Sequence, residues 1–447
     1  MGIKLLLKDP EQIRQRISKA LNRLGGNKGQ QGPKFNTFGE LQSLEDIVRE
    51  IISRVSEKGD LAVAECLSLI DKADVSPKEL VVSQAEFEAA RKSLSPELEN
   101  SLQLMARRLR DYAEQMMPPK LQWFSEVEGR KLGYRFTPIE NLGAYVPGGL
   151  GGSTPLISTV LMNLIPAKVA GVEKVVVATP CTKDGTVHPA LLRACEIAGV
   201  DVVYKAGGAQ GVAAMAMGTE SCPSCSKIIG PGNAFVQEAK KQLYGMIDID
   251  MMAGPSEIAI MADDTAKSSV IAADMIAQAE HDVLASSMVF STSETLLKSV
   301  EEEVEKQLAQ LPKAEIARKS LTDFGALCLC SNTEEACDFV NLFAPEHLEL
   351  CVDKAHDLLD SIKHAGALFI GHNTPEVVGD YTAGPSHTLP TCGAARFTSG
   401  ITVYSFLKSS SLLEYSQEAM KEDLSPLTTM ARAENLEGHA RSAESRF

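Results

Sequence analysis

Short runs rich in β-branched residues alternate with helix-forming segments through most of the chain that follows Trp123, the only tryptophan. Strands and helices that alternate in this way form parallel sheets, because each crossover helix returns the chain to the same edge of the sheet. The pattern predicts an α/β fold with two parallel-sheet domains of similar design. The predicted strands lie at 174–180, 200–207 and 226–233 in one domain and at 257–263, 286–292, 325–331 and 366–371 in the other.

Helical segments flank this alternating region on both sides. The chain has 447 residues, too many for one compact core, since domains usually contain about 100–200 residues. Apolar residues at helical spacing predict helices from Gln12 to about Gln122, and the polar tail from Ser409 is predicted to form a helical arm. We expect a first domain of 1–140 with 256–400, a second domain of 141–255, and an arm of 401–447.

The charge of the chain bears on its partners. A formal charge of −15 and an isoelectric point near 5.1 argue against nucleic acid, since replacing the counterions of a phosphate backbone requires a basic surface. The first ten residues contain only a three-leucine run, and no run of about 18 apolar residues occurs, so we expect neither a signal peptide nor a membrane span. We expect a soluble protein of the cytoplasm, with a plastid as the alternative.

Ten cysteines are scattered along the chain without the spacing of a disulfide framework, which is typical of a reducing compartment. Cys222 and Cys225 form the one CxxC pair. This pair suits half of a zinc ribbon, a redox motif, or simply two small residues in a loop. Because no second CxxC completes a four-cysteine site, we favour the loop interpretation.

Three glycine-rich segments would let backbone amides approach a phosphate group, at 143–155, 205–218 and 229–236. None has the dinucleotide fingerprint GxGxxG, and no GxxxxGK[ST] phosphate loop occurs. From glycine content alone, nucleotide binding and plain tight turns both remain open.

Polar residues with useful chemistry cluster at four places. Gln278 and His281 are three apart in a helical pattern, so one helix face could offer both to a metal. The adjacent carboxylate and imidazole of FAPEHLEL, placed at a turn or helix start after a proline, suit acid–base work near neutral pH. Each cluster read alone also fits an ordinary solvated surface. The remaining candidates are Glu346 and His347 of that motif, Asp380 and His387 in GDYTAGPSHTLPT, and Glu434 and His439 in the tail.

Taken together, these segments resemble the histidinol dehydrogenase family. The resemblance runs from about Gly59 to Arg446, and the order and approximate spacing of the motifs match. The motifs are GAYVPGG, GGAQ, IGPGN, AGPSE, AQAEH, APEHLEL, GD…GPSHTLPT…ARF…SG and E…EGHA. Two features depart from the family pattern: Asn435 stands where glycine is common, and the CxxC loop is not expected. Neither departure falls on a residue named below.

The resemblance implies a homodimeric enzyme that binds zinc and NAD and oxidises L-histidinol, with two incomplete Rossmann-like domains. The implied zinc ligands are Gln278, His281, Asp380 and His439, the last supplied by the partner subunit. The implied acid–base residues are Glu346 and His347. The implied substrate contacts are Ser256, Gln278, His281, Glu346, His347, Asp380, His387, Glu434 and His439. The implied NAD contacts are Tyr145, Gln210 and Asn233, which places NAD on the domain of 141–255 and the catalytic residues on the other.

Within this resemblance, His347 is the base for two successive oxidations and Glu346 activates the water that adds to the bound aldehyde. Three alternatives remain open at this point. A cysteine nucleophile could oxidise the aldehyde through a thioester. A paralogue with the same zinc and NAD could oxidise another small polar alcohol, such as a sulfonated diol. A zinc-bridged dimer without catalysis could serve as a binding module, although such a site would not need the Glu346–His347 pair.

Overall fold

The computed structural model describes residues 3–23, 43–148, 155–312 and 314–447. In these ranges strands and helices alternate as the sequence predicts. The strands are β1 (Leu6–Leu7), β2 (Leu121–Val127), β3 (Arg130–Pro138), β4 (Asn141–Tyr145), β5 (Lys174–Ala178), β6 (Val202–Tyr204), β7 (Lys227–Ile229), β8 (Asp248–Ile249), β9 (Glu257–Ala262), β10 (Ser286–Ser291), β11 (Ala326–Leu329), β12 (His347–Cys351), β13 (Ala367–Ile370) and β14 (Leu407–Tyr415).

The α-helices are α1 (Pro10–Leu21), α2 (Leu44–Lys58), α3 (Asp60–Cys66), α4 (Gln84–Ser93), α5 (Pro96–Met116), α6 (Ile157–Ala170), α7 (Pro189–Ala198), α8 (Gly208–Met217), α9 (Ala234–Leu243), α10 (Ser268–Ala279), α11 (Glu294–Leu308), α12 (Ala314–Phe324), α13 (Thr333–Phe343), α14 (Val377–Tyr381), α15 (Gln417–Ala433) and α16 (Glu437–Glu444). A π-helix spans Leu67–Asp71, and 3₁₀ turns span Pro77–Glu79, Ala355–Ser361, Ala394–Arg396 and Val403–Phe406. Within the described ranges, the search for a helix with the length and apolarity to cross a bilayer finds none.

Two parallel sheets form the body of the molecule, as predicted. One has the order β6-β5-β4-β7-β8 and the other the order β1-β11-β10-β9-β12-β13. In the first sheet β4 lies in the centre, with β5 and β6 on one side and β7 and β8 on the other. In the second sheet β9 lies in the centre, with β12 and β13 on one side and β10 and β11 on the other, and β1 adds an edge strand next to β11. This is the strand order of a Rossmann-type sheet without its sixth strand. The prediction of two incomplete Rossmann-like domains is therefore confirmed. We call them the five-stranded and the six-stranded sheet.

All seven predicted strands are present, and their burial explains why they were recognisable. Every residue of β9 and of β10 is buried, because helices cover both faces of a parallel sheet. Such strands read as continuous apolar runs bounded by polar turns. The sequence did not reveal β12 in the same way, because its five residues, His347–Cys351, alternate polar and apolar side chains and yet all are buried.

The tail departs from its prediction. Residues from Ser409 were expected to be helical, but β14 pairs with β3 along its whole length, from Leu407 opposite Pro138 to Tyr415 opposite Arg130. Together with β2 they form a three-stranded antiparallel sheet. Most of β14 is exposed on both faces, so the strand lacks the apolar alternation that identifies a half-buried strand. The helical arm begins only at α15.

The hydrophobic cores of the two sheets also differ from the expected domains, in which residues 1–140 were grouped with residues 256–400 of the six-stranded sheet. Helices α2 to α5 pack into one continuous core with the five-stranded sheet, through buried residues such as Val48, Leu67 and Leu109. Only the first segment joins the six-stranded sheet, where β1 pairs with β11 and α1 buries Ile13 and Ile17. Sequence spacing predicted these helices, but not which sheet their apolar faces would cover.

A buried ion pair holds two segments together at the carboxyl end of the five-stranded sheet. The ammonium of Lys240 on α9 contacts Asp250 and donates to the carbonyl oxygens of Gly230 and Met251, both at 3.1 Å. The side chains of Lys240 and Asp250 are 0% and 3% exposed. Asp250 also accepts from the amide of Gly230 at 2.7 Å. The pair therefore ties the segment after β7 to the segment after β8.

We expect Lys240→Met to destabilise the protein by about 3–5 kcal/mol, because the substitution leaves the Asp250 carboxylate buried without a cation. Lys241→Met is the matched control, since that side chain is 61% exposed in its pair with Glu238 and removing such a pair costs less than about 1 kcal/mol. Denaturant unfolding of both variants measures the difference. Equal stability of the two variants would show that the buried pair contributes nothing beyond a surface pair.

Candidate active site

A cavity of about 250 Å³ lies where the two sheets meet. Its wall includes residues that follow strands of the five-stranded sheet, such as Pro231 and Asp250, and residues at the amino ends of β9 and β12. The cavity brings together residues that are far apart in sequence. Of the nine predicted substrate contacts it contains Ser256, Gln278, His281, Glu346, His347, Asp380 and His387.

Gln278 and His281 lie at the end of α10. The expectation that both lie on one helix face is wrong in detail, because α10 ends at Ala279 and His281 lies in the turn that follows. Gln278 is buried, and its Nε2 finds no hydrogen-bond partner among the described residues. His281 is exposed at the cavity wall. The helix end thus presents one buried amide and one accessible imidazole to the same space.

Glu346 and His347 begin a central strand and do not occupy the predicted turn or helix start. Helix α13 stops at Ala344, whose φ of 49° is left-handed, and the chain then enters β12 between β9 and β13. Parallel pairing places His347 opposite Ile258. Glu346 accepts from the backbone amide of Glu257 at 3.1 Å. Glu346 and His347 are therefore held in place by contacts within the sheet.

The contacts of His347 define its tautomer. Its Nδ1 lies 3.3 Å from the carbonyl oxygen of Glu257 and 3.1 Å from Oε1 of Gln278. A carbonyl oxygen can only accept, so Nδ1 carries the proton in the neutral ring and Nε2 keeps a lone pair. Burial lowers the pKa of His347 to about 4. At neutral pH the ring is uncharged and able to take a proton at Nε2.

Asp380 and His387 come together from opposite ends of one polar loop. Asp380 lies in the short helix α14, and its Oδ1 is 3.5 Å from Nδ1 of His387. Nε2 of His387 is 3.2 Å from the hydroxyl of Thr159, on the five-stranded side of the cavity. Burial raises the pKa of Asp380, but the hydrogen bond from His387 and the nearby His347 outweigh it, so the pKa is lowered overall. Asp380 is therefore the ionised carboxylate of the site.

Glu376 is a site residue that sequence analysis missed. It is 2% exposed, lines the cavity, and lies one turn before Asp380. The ligand atoms of His347, Glu376 and Asp380 lie within 4.8 Å of one another, close enough for one metal ion. The spacing of Glu376 and Asp380, four residues apart just before the GPSH loop, was a usable signal, since helical neighbours at that spacing share a face.

The cavity has an excess of acidic groups. Glu346, Glu376, Asp380 and Asp250 contribute carboxyl groups, and none of the described residues that line it is a lysine or an arginine. Burial and neighbouring carboxylates raise the pKa of Glu346 well above its ordinary value and that of Glu376 to about 8. Such a cavity favours a bound cation, because a positive charge relieves both the burial and the mutual repulsion.

Arg23 and Glu257 support the AGPSE segment from behind. The guanidinium of Arg23 donates to the carbonyl oxygen of Pro255 at 2.6 Å and lies 3.5 Å from the carboxylate of Glu257. Both side chains are 0% exposed. Glu257 also accepts from the backbone amide of Cys392. These contacts fix Ser256, which lies between the two at the cavity wall.

The three predicted NAD contacts lie near the carboxyl end of the five-stranded sheet. Tyr145 ends β4, and its hydroxyl accepts from the amide of Gly208 at 3.1 Å. Gln210 is buried in the first turn of α8 and donates to Asp71 at 2.9 Å. Asn233 is exposed and caps α9 by accepting from two backbone amides. Residues 149–154 of the first glycine-rich segment lie outside the described residues.

Glycines let the backbone close around this edge. Gly230 has φ of 108°, and a Cβ there would meet the carbonyl oxygen of Tyr145 at 2.1 Å. A Cβ on Gly232 would meet Val236 at 2.4 Å. A side chain fits at neither position, so IIGPGN forms a tight concave turn next to the end of β4.

Two predicted contacts do not join the cavity of this chain. Glu434 and His439 are exposed at the end of α15 and in α16. Cysteines are also absent from the described cavity wall. Cys222 and Cys225 are buried in the core, where both thiols donate to the carbonyl oxygen of Pro223, and burial raises the pKa of each. The cysteine-nucleophile alternative thus has no candidate in the described wall.

Comparison with known proteins identifies the family. The model of the family described as histidinol dehydrogenase matches residues 37–447. The chain belongs to the histidinol dehydrogenase family. It is 45% identical over 400 residues to histidinol dehydrogenase of Bacillus subtilis, covering 89% of this chain and 92% of that protein. It is 43% identical over 403 residues to histidinol dehydrogenase 2 of Trichormus variabilis, covering 90% and 92%.

A solved structure agrees with this membership. The crystal structure of histidinol dehydrogenase from Elizabethkingia anophelis matches with a TM-score of 0.90 and 32% identity, covering 100% of this chain and 98% of that one. The chain is therefore an oxidoreductase of the histidinol dehydrogenase family, and the resemblance drawn from its motifs is confirmed.

We expect Arg23→Met to lower stability more at pH 8 than at pH 5. Burial raises the pKa of Glu257 from 4.5 to about 7, so between these values the native state binds more protons than the unfolded state and stability falls as pH rises. Removing the cation, whose charge lowers this pKa, extends that fall to higher pH. At pH 8 we expect a loss of about 3–5 kcal/mol.

Urea unfolding of wild type and variant at pH 5 and pH 8 measures this effect. The control is Arg14→Met, which removes an exposed arginine from α1, the helix that ends two residues before Arg23. A loss in Arg23→Met that is the same at both pH values would show that the charge of Glu257 is not what Arg23 offsets.

Proposed function

We propose that this protein oxidises L-histidinol through L-histidinal to L-histidine, with zinc bound and with two NAD molecules as successive hydride acceptors. The observation that carries the proposal is the neutral, buried His347 beside Glu346, in an acidic cavity whose described wall contains no lysine or arginine. A substrate with an ammonium and an imidazole suits those charges, because carboxylates bind the ammonium and a metal binds the imidazole nitrogen.

The donor set of the cavity fits zinc. Gln278 supplies an amide oxygen, His281 an imidazole nitrogen and Asp380 a carboxylate whose pKa is lowered. All three residues line the cavity. Zinc accepts such mixed oxygen and nitrogen ligands. Zinc bound there would hold the substrate in position and polarise its oxygen.

The edge around Tyr145 and Gly230 fits NAD. Carboxyl ends of strands at the centre of such a sheet are where dinucleotides bind, and the glycines let the backbone of this turn pack directly against the end of β4. NAD bound there accepts hydride. Pro231, in that turn, also lines the acidic cavity, so the cofactor edge and the substrate cavity share a wall.

In the first oxidation, Nε2 of His347 takes the hydroxyl proton of the alcohol as hydride leaves the carbon. The neutral tautomer described above is the form able to do so. In the second, Glu346 takes a proton from the water that adds to the aldehyde, and His347 returns the proton of the first step to the aldehyde oxygen, which gives the gem-diol and a neutral imidazole again. His347 then accepts a hydroxyl proton of the gem-diol as the second hydride leaves the carbon. Glu346 and His347 both line the cavity, so both can act on one bound substrate. An enclosed cavity also retains the reactive aldehyde between steps.

We also propose a homodimer in which His439 of the partner subunit completes the zinc site and Glu434 of the partner subunit contacts the substrate. Support comes from the surface of the tail. Large apolar side chains are exposed along the tail, among them Leu413 at 70%, Met430 at 61%, Leu436 at 40% and Leu427 at 39%. An apolar surface of this kind is typical of a protein interface. The ten unpaired cysteines favour a reducing compartment, and we propose the cytoplasm.

The paralogue alternative is less well supported. A sulfonated diol carries a negative charge, and proteins bind such groups with arginine, lysine or backbone amides. The described cavity wall instead has four carboxyl groups. A binding module without catalysis leaves the neutral base and its adjacent carboxyl group unexplained.

Purified, zinc-loaded protein should form two NADH for each L-histidinol consumed. A chelator should abolish this activity and added zinc should restore it, since the substrate is held partly by the metal. NADH absorbance together with amino-acid analysis gives the ratio. One NADH with free aldehyde released would contradict the two-step proposal, and turnover of a different polar alcohol alone would favour a paralogue.

Hybrid dimers test the shared site. His347→Asn and His439→Asn should each be inactive as homodimers. If His439 acts on the partner's site, a randomly mixed hybrid population should regain about a quarter of wild-type activity, because half the dimers are hybrids and each has one intact site. If His439 acts within its own chain, every site in the mixture carries one substitution and the mixture stays inactive. Co-expression with two different affinity tags provides the hybrids.

A further inference from the structure

We propose that Glu376 is a positioning residue for His347: its carboxyl group holds the imidazole with the proton on Nδ1, so that Nε2 faces the reacting alcohol as a base. This inference rests on the proposed function, because it assigns a partner to the proposed base. Oε1 of Glu376 lies 3.6 Å from Nδ1 of His347. It has no hydrogen-bond partner among the described residues, although Glu376 is 2% exposed.

The groups around Nδ1 of His347 leave one role for a carboxyl oxygen beside it, that of a hydrogen-bond acceptor. The ring nitrogen already faces two oxygens, the carbonyl of Glu257 and the amide oxygen of Gln278, and Glu346 lies 3.9 Å away. Each of these oxygens can accept a hydrogen bond from Nδ1–H. The carboxyl of Glu376 adds another oxygen on that side of the ring and opposes the other tautomer, which would leave several buried acceptors facing a lone pair.

The fold holds Glu376 in place from behind. Its backbone amide donates to Oε1 of Glu349 at 2.8 Å. Glu349 is 1% exposed and lies two residues after His347 on β12, and burial together with the neighbouring Asp274 of α10 raises its pKa to about 9. The same strand therefore carries the imidazole and the group that anchors its partner. The distance between His347 and Glu376 is fixed by the sheet and not by a mobile loop.

The alternative role for Glu376 is that of a metal ligand, since it lies in the cluster of His347 and Asp380. The two roles predict different results for Glu376→Gln. An orienting carboxyl replaced by an amide presents an NH₂ group or a weaker acceptor to Nδ1, which lowers kcat and leaves metal and substrate binding intact. A lost ligand lowers the zinc content and raises KM.

The experiment compares wild type, Glu376→Gln, Glu376→Asp and Glu280→Gln, the last a control at an exposed carboxylate beside the site. Each is zinc-loaded, and kcat, KM, pH profile and zinc content per subunit are measured. For Glu376→Gln we expect kcat to fall by about 10²-fold or more, with KM and zinc near wild type. Glu376→Asp should recover part of kcat, and the control should match wild type.

Wild-type kcat in Glu376→Gln, or loss of zinc with raised KM, would each overturn the assignment. Folding is checked by circular dichroism, and a variant that does not fold is replaced by Glu376→Asp alone, which must then show lowered kcat at normal KM. The comparison uses the polar alcohol that wild type oxidises fastest. Absence of L-histidinol turnover by wild type therefore contradicts the proposed function, whereas a loss of kcat confined to the Glu376 variants supports this inference.

Discussion

The short connection from Ile249 to Glu257 is the constraint on which the site depends. It leaves the carboxyl end of β8 in one sheet and enters the amino end of β9 in the other, so residues 250–256 can reach no farther than about 25 Å. The carboxyl edge of the five-stranded sheet must therefore lie next to the amino edge of the six-stranded sheet. The cavity forms between those edges, and Asp250 and Ser256 at the two ends of the connection both line it.

The two sheets have the same strand order but contribute different edges. A Rossmann-type sheet binds ligands at its carboxyl end, and Tyr145 and Gly230 lie at that end. His347 and Glu346 instead lie at the amino end of β12. Parallel pairing with β9 holds the imidazole of His347 beside a carbonyl oxygen. That contact favours the tautomer with the proton on Nδ1.

Much of this arrangement was predictable from the sequence. The seven apolar runs predicted strands because most of their residues are buried, as in β9 and β10, and the motifs predicted that Gln278, Asp380 and His387 belong to one site. Local pattern could not place α2 to α5 on the five-stranded sheet, since an amphipathic face does not specify its partner. It also failed for β14, which is exposed on both faces. Glu376 was missed although it lies four residues before Asp380, because that spacing indicates a shared helix face but does not show that the face is buried.

The carboxyl groups of the cavity and the burial of its residues act together on the charge of His347 and Glu376. Burial, together with the neighbouring carboxylates of Asp380 and Asp274, raises the pKa of Glu376 to about 8. The same carboxylates would draw an imidazole of ordinary pKa towards the protonated state. Burial acts the other way on His347 and lowers its pKa to about 4, even though Asp380 raises it. An acidic cavity can therefore hold an uncharged imidazole, as the proposed function requires, because the burial of the ring outweighs the field of its acidic neighbours.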